Sequence, residues 1–349
     1  MKAMSVVRFT RLLAAVAIAS AACFGFAQTQ FDVPGATEIY PTAITVTGTT
    51  AGYYATTAPV AGFGKDFYGF IRDSSGNITT FATPAWAPNN SSTVVWGMNS
   101  SGVVVGEGYV VGLATKGYIR NINGSFVTIN PANSSVSSAK AINDAGQVTG
   151  WWNTGSPSFT SHGFIYSGGA LISFDVPNPS RLVTTTETNP SSIDAFGNVA
   201  GTFTDSNNVQ HVFVRTSKGK YATYDIPGSQ GIVVTRLNAS GVIGGRIWNG
   251  TAQIGFTLTP GKKAPTLTTF SSPYAVGNTS PNDLNNHAMA AGNYWDGSAN
   301  HGFRWSSSAG FTYFDMPSAT ATTPLALNDK GVTTGFFFDS LGAAHGFIY

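Results

Sequence analysis

The residues best placed to do binding chemistry are two opposite charges, Arg236 and Asp283, which occupy equivalent positions in consecutive repeats of the chain. At this position the other repeats carry a small residue: Ala43, Gly97, Ala141, Ser192 and Ala326. Residues shared by all copies build a repeat scaffold, so function is expected where one copy departs from the others. The two charges could form a structural ion pair or line a polar ligand site.

One residue before this position, two other repeats carry Trp96 and Lys140. An aromatic face and an ammonium donor are groups that can hold a sugar or another polar ligand. We therefore expect Arg236, Asp283, Trp96 and Lys140 to be the candidate ligand-binding residues, near the innermost strands of the fold.

Histidine and aspartate also recur, but their pattern favours a structural role. An aspartate precedes a proline by two residues at Asp32, Asp175, Asp225 and Asp315. Histidines stand at His162, His211, His301 and His345. A metal centre needs ligands that converge, which positions spread over several repeats do not readily provide. We expect hydrogen bonding here and no metal site.

The sequence contains no recognised catalytic or cofactor motif. There is no Gly-x-Ser-x-Gly elbow, no His-Glu-x-x-His, no phosphate loop and no aspartate-rich calcium loop. We expect no catalytic residues and no cofactor, although carboxylates from different repeats could still meet at an axis.

The elements that must position these residues repeat about every 47 residues. The outer glycine of an Asn-centred turn marks each copy: Gly52, Gly106, Gly150, Gly201, Gly245, Gly292 and Gly335. In the third copy, strands are expected at 139–143, 147–153, 162–166 and 171–176, joined by Asn/Asp/Gly turns.

Seven copies of a four-stranded unit predict an all-β, seven-bladed β-propeller of four-stranded blades. The chain ends after the third strand of its last copy, and residues 29–33 form a fourth strand with no preceding three. We expect these ends to pair and close the ring, which would remove an exposed sheet edge. An open β-solenoid is the alternative.

The segments Phe174-Asp-Val-Pro, Ile142-Asn-Asp-Ala-Gly, Gln147-Val-Thr-Gly and His162-Gly-Phe-Ile-Tyr resemble the extracellular HAF repeats of bacterial proteins. The resemblance covers residues 29–349, with glycine in place of the alanine of the His-Ala-Phe step. It implies a secreted repeat protein with a propeller-like fold and no specific activity.

Residues 1–27 have the character of a secretory signal peptide. A basic start with Lys2, Arg8 and Arg11 precedes an apolar run and a small-residue end at Ala27. We therefore expect one propeller domain over 28–349, located in the periplasm or outside the cell. An outer-membrane lipoprotein anchored at Cys23 is a minor alternative.

Removal of this segment would leave no cysteine, and 15 basic against 16 acidic residues, a net charge of about −1. Disulfides and nucleic-acid binding are then not expected, and neither is a transmembrane segment in the mature chain. We expect a monomeric, non-enzymatic binding or interaction propeller whose ligand is a carbohydrate or a protein. A hydrolase or lyase acting on polysaccharide or a lactone, and a structural envelope protein, are the alternatives.

Overall fold

A computed structural model describes residues 28–59, 65–84, 91–110, 115–155, 160–177, 185–261 and 264–349. The segment proposed as a signal peptide, with Cys23, lies outside these ranges. The described chain is built from strands and turns and contains no helix, so no helix of the described residues could cross a membrane. The fold is therefore all-β, as the sequence predicts.

The strands fall into groups of four, which we call units 1 to 7. The chain begins with β1 (Thr29–Phe31). Unit 1 consists of β2 (Ala36–Ile44), β3 (Thr50–Pro59), β4 (Lys65–Arg72) and β5 (Ile78–Phe81). Unit 2 consists of β6 (Ser91–Met98), β7 (Val104–Val110), β8 (Lys116–Arg120) and β9 (Phe126–Ile129). Unit 3 consists of β10 (Val136–Ile142), β11 (Val148–Asn153), β12 (Ser161–Ser167) and β13 (Ala170–Phe174).

Unit 4 consists of β14 (Thr185–Ile193), β15 (Val199–Asp205), β16 (Gln210–Arg215) and β17 (Tyr221–Tyr224). Unit 5 consists of β18 (Gly231–Leu237), β19 (Ile243–Trp248), β20 (Gln253–Thr259) and β21 (Thr266–Phe270). Unit 6 consists of β22 (Asn278–Leu284), β23 (Ala290–Trp295), β24 (Asn300–Ser306) and β25 (Gly310–Phe314). Unit 7 consists of β26 (Ala321–Leu327), β27 (Thr333–Phe338) and β28 (Ala344–Ile348), with β1 as its fourth strand.

Within each unit, neighbouring strands pair antiparallel. Units 1, 2 and 7 are separate four-stranded sheets, and β1 pairs with β28 so that Phe31 lies opposite Gly346. Units 3 and 4 are joined by a single parallel pair, Ser161 with Glu187, and units 5 and 6 by Gln253 with Asn278. The strands predicted for the third copy are present, and the first begins earlier, at Val136.

The Asn-centred turn between the first two strands of a unit explains two of the repeated residues. In unit 5, Asn238 Oδ1 accepts the backbone N–H groups of Ser240 at 3.0 Å and Val242 at 2.9 Å. The inner glycine of this turn has a positive φ, 76° at Gly146, and Ala288 takes 55° at the equivalent place. The left-handed region costs a residue with a Cβ about 1–2 kcal/mol, which accounts for the preference for glycine.

The outer glycine is required because the backbone comes too close for a side chain. A Cβ on Gly106 would lie 1.9 Å from the carbonyl oxygen of Val94, and one on Gly150 would lie 1.9 Å from that of Ser138. Every other outer glycine meets the same obstacle, at 2.0 to 2.2 Å. This close approach of the first strand to the second explains why the residue never varies.

The core between units is formed by the aromatic anchors of the repeat. In five of the seven units the anchor is covered by a planar group, which stands two residues after the third-strand aromatic residue of the next unit. Phe270 stacks on Trp305 with ring centroids 3.8 Å apart, whereas the guanidinium of Arg215 lies 5.0 Å from the ring centroid of Phe174. Arg72 covers Phe31 in the same way at 5.2 Å, so β1 contributes to the core of unit 1.

Candidate functional site

The first strand of every unit contains a β-bulge at the same place. The pairing register with the second strand shifts around Thr42, Trp96, Lys140, Ser191, Thr235, Asn282 and Leu325. A bulge leaves one residue unpaired and redirects its side chain. We call these seven residues the bulge ring.

All seven residues of the bulge ring line one cavity of about 330 Å³. Because every unit contributes to it, this cavity lies where the units converge. Its volume falls within the range of small-molecule sites, about 300–1,000 Å³. The framework around it is repetitive, but the ring itself contains hydroxyls, an amide, an indole, an ammonium and an aliphatic side chain. We call this space the axial cavity.

The structure brings all four sequence-predicted site residues to the axial cavity: Trp96, Lys140, Arg236 and Asp283. Trp96 and Lys140 belong to the bulge ring, and Arg236 and Asp283 follow it by one residue in their strands. Arg236 Nε lies 3.4 Å from Asp283 Oδ1, with 46% of the Arg236 side chain exposed and 12% of that of Asp283.

Asp283 is held by the protein on both of its oxygens. Oδ1 accepts the N–H of Leu284 and Oδ2 accepts the N–H of Leu327 in the next unit, each at 2.9 Å. Burial raises the pKa of Asp283, and Arg236 and these two backbone donors oppose that shift. Asp283 therefore joins units 6 and 7 and orients Arg236, whose exposed guanidinium faces the cavity.

Lys140 and Trp96 form a compact pair rather than two independent contacts. Lys140 Nζ lies 3.8 Å from the ring centroid of Trp96 and 3.9 Å from Glu107 Oε2. Burial lowers the pKa of Lys140, and the charge of Glu107 partly offsets this. One face of the indole is thus covered by the ammonium group, while Trp96 Nε1 is buried without a hydrogen-bond partner.

Arg246 is a cavity residue that the sequence did not reveal. Its Nη1 donates to the carbonyl of Pro281 at 3.2 Å and to Asn282 Oδ1 at 3.1 Å, both neutral groups. Burial lowers the pKa of Arg246. A signal for it exists in the sequence, because the residue after the outer glycine varies between repeats: Tyr53, Glu107, Trp151, Thr202, Arg246, Asn293 and Phe336.

Two hydroxyls of the bulge ring serve the assembly of neighbouring units. Thr42 Oγ1 donates to the carbonyl of Val95 at 2.9 Å, and Ser191 Oγ donates to that of Val234 at 2.7 Å. Asn282 Nδ2 likewise donates to Pro324 in the next unit at 2.8 Å. These side chains line the cavity but already have partners.

The other end of the axis is lined by the Asn-centred turns, which also connect the units. Asn143 Nδ2 donates to the carbonyl of Asp194 at 2.9 Å, and Asn285 donates to that of Asn328 at 3.1 Å. Asn328 in turn donates to Thr45 in unit 1 at 2.9 Å, a contact between the last unit and the first. This end is therefore occupied by repeated structural hydrogen bonds.

The recurring histidines lie apart from the axial cavity and pair with the recurring aspartates. Nδ1 lies 2.9 Å from Asp175 for His162, 2.6 Å from Asp225 for His211, 2.8 Å from Asp315 for His301 and 2.7 Å from Asp32 for His345. Three of them have a second aspartate on the other side of the ring: Asp205, Asp296 and Asp339. Within the described ranges, no group of three or more His, Cys, Asp or Glu side chains is arranged to hold a metal ion.

Comparison with solved structures finds two β-propeller domains and a peptidase among the similar chains. The β-propeller domain of Cps50 (Swd1) from Myceliophteria thermophila superposes with a TM-score of 0.56 at 12% identity, covering 92% of this chain and 98% of that domain. The β-propeller domain of the Trilobed protease from Pyrococcus furiosus gives 0.53 at 9% identity, covering 90% and 93%. The acylaminoacyl peptidase of Pyrococcus horikoshii gives 0.53 at 7% identity, with 89% of this chain covering 51% of that one.

No protein-family model matches the sequence, and the curated proteins give no match. At these low identities the structural likeness establishes architecture and does not transfer activity. Together with the strand pairing, it shows that this chain is an all-β protein with the β-propeller fold.

Proposed function

We propose that this protein is a non-enzymatic binding propeller that takes a small polar ligand in the axial cavity. The observation that carries the proposal is the bulge ring, in which seven equivalent backbone positions direct side chains of six residue types into one space. A scaffold alone would need no such variety, since a position with one packing role, such as the outer glycine, keeps one residue type.

A hydrolase or lyase would need acid and base groups together at the axis. Among the described residues that line the axial cavity there is no histidine, and Asp283 is the one carboxylate. That carboxylate is occupied by Arg236 and two backbone donors. This arrangement supports binding better than acid–base catalysis.

We also propose that units 1 to 7 are the seven blades of one ring, closed by β1 and β28. The hydrogen bond from Asn328 to Thr45 and the cover of Phe31 by Arg72 support this arrangement. The basic and apolar character of residues 1–27 supports secretion, and the repeat pattern supports membership of the extracellular HAF-repeat family.

The proposed function is tested by filling the cavity. Leu325→Trp enlarges a partly buried side chain of the bulge ring, whereas Leu341→Trp changes a side chain that is 91% exposed and lies outside the lining. Glycan and peptide arrays probed with the purified protein should give binding that Leu325→Trp abolishes and Leu341→Trp retains. Circular dichroism would verify that both variants fold. Binding that survives Leu325→Trp would place the ligand elsewhere and contradict the proposal.

A further inference from the structure

Resting on the proposed function, we infer that the axial cavity recognises a carboxylate-bearing saccharide, such as a uronic acid, through Arg246, Arg236 and Lys140. The three cations come from units 5, 5 and 3 and line the same cavity. The inference depends on a surplus of positive charge and on a surplus of hydrogen-bond donors.

The surplus of charge is seen by pairing each cation with its nearest carboxylate. Arg236 is paired with Asp283 and Lys140 with Glu107, but Arg246 has only neutral partners among the described residues. Removing a guanidinium from water without a counter-charge is costly, and a bound anion would relieve that cost. The cavity therefore lacks one negative charge.

No other carboxylate at the cavity supplies this negative charge. Among the described residues, Asp283 is the one carboxylate that lines the cavity. Burial lowers the pKa of Arg246, and no carboxylate offsets that shift.

The surplus of donors comes from the bulge ring. Trp96 Nε1 and Thr235 Oγ1 are buried without a hydrogen-bond partner, and both residues line the cavity. Buried donors are normally satisfied, so unpaired ones at a cavity indicate a missing acceptor. A sugar carboxylate offers two charged acceptor oxygens beside ring and hydroxyl oxygens, and bonds to charged acceptors are the strong ones.

The inference is tested with a matched pair of ligands. Oligogalacturonate and its methyl ester have the same sugar backbone, and the ester has lost the charge. Isothermal titration calorimetry should show that the acid binds at least about tenfold more tightly than the ester, since a hydrogen bond to a charged group contributes about 1.5–3 kcal/mol. Acetate and sulfate serve as further probes, because binding of these ions with equal affinity would show a general anion site and overturn the saccharide assignment.

Two variants remove charge from the cavity, and one control removes it elsewhere. Arg246→Gln and Lys140→Met should each weaken oligogalacturonate binding about tenfold or more. Lys218→Gln, an exposed lysine in the turn between β16 and β17, should leave it unchanged. Retention of full affinity in both cavity variants, equal binding of acid and ester, or binding of neither would overturn the inference. Loss of a neutral ligand on Leu325→Trp would still support the axial cavity as a binding site, so the two proposals can fail separately.

Discussion

Removal of the Phe31 ring tests whether β1 is an integral part of the fold. Phe31 is 7% exposed, its ring centroid lies 6.0 Å from that of Phe70, and the guanidinium of Arg72 lies 5.2 Å from it. Phe174 has an equivalent setting within the chain. It is 9% exposed, lies 6.2 Å from Phe213 and is covered by Arg215 at 5.0 Å.

Because Phe31 and Phe174 have similar surroundings, we expect their truncation to cause similar losses in the free energy of unfolding. Truncation of a buried phenylalanine to alanine costs about 3–5 kcal/mol, of which the lost cation–π contact contributes about 1 kcal/mol. Phe31→Ala and Phe174→Ala should therefore lower the free energy of unfolding by similar amounts, although Phe31 lies in β1, far along the sequence from the other strands of its unit, and Phe174 lies beside its own. Guanidinium unfolding followed by tryptophan fluorescence measures both.

Amide hydrogen exchange shows which strands are destabilised by each substitution. In Phe31→Ala, the amides of residues 346–348 should lose protection, because these residues pair with β1. In Phe174→Ala the same amides should be unaffected. A loss below about 1 kcal/mol for Phe31→Ala beside the full loss for Phe174→Ala would refute the reasoning. It would show that the terminal strand does not contribute to the core.

Three further outcomes are expected. Asn285→Asp keeps the acceptor oxygen for its own turn but loses the N–H donor to Asn328. It should lower the free energy of unfolding in urea by about 1–3 kcal/mol, and an unchanged midpoint would contradict the role of the amide. Gly150→Ala should prevent folding or lower the melting temperature by more than Gly231→Ala, whose Cβ would meet its nearest atom at 3.8 Å, and equal effects would contradict the steric argument. Burial lowers the pKa of His345, but hydrogen bonds and charges of Asp32 and Asp339 outweigh it and the net shift is upward. Its contribution to stability is thus full below its unfolded-state pKa of about 6.5 and is lost as pH rises through the folded-state pKa, so His345→Gln should lower the melting temperature at pH 5.5 more than at pH 8.5.

The repeat pattern predicted the strands because each anchor has one local cause. Glycine is required at Gly150 because the backbone of the first strand passes too close for a side chain, and the turn at Asn143 has a fixed geometry. The spacing of these residues was therefore enough to place the strands. The same pattern predicted Arg236 and Asp283 as exceptions, and their closeness follows from equivalent positions in adjacent units.

The bulge itself could not be predicted from residue types. The bulged residues include both polar and apolar types, such as Thr235 and Leu325, and share no side-chain property. The bulge results from how the first strand pairs with the second. Arg246 was missed for a related reason. It is carried by the second strand, and only the three-dimensional fold brings that strand to the cavity beside Asn282.

The hydrogen bonds between units set a limit on how the cavity could be redesigned. In most units an asparagine side chain such as Asn285 donates a hydrogen bond to the next unit. Units 1 and 4 have Thr45 and Asp194 at this position, which carry no amide. In these two units the hydroxyls of Thr42 and Ser191 donate to the next unit instead. Replacing Ser191 or Thr42 to change the ligand specificity would remove a hydrogen bond between two units. Leu325 has no polar side-chain group and Thr235 Oγ1 has no hydrogen-bond partner, so a library aimed at new ligands should vary these two and leave Ser191 and Thr42 in place.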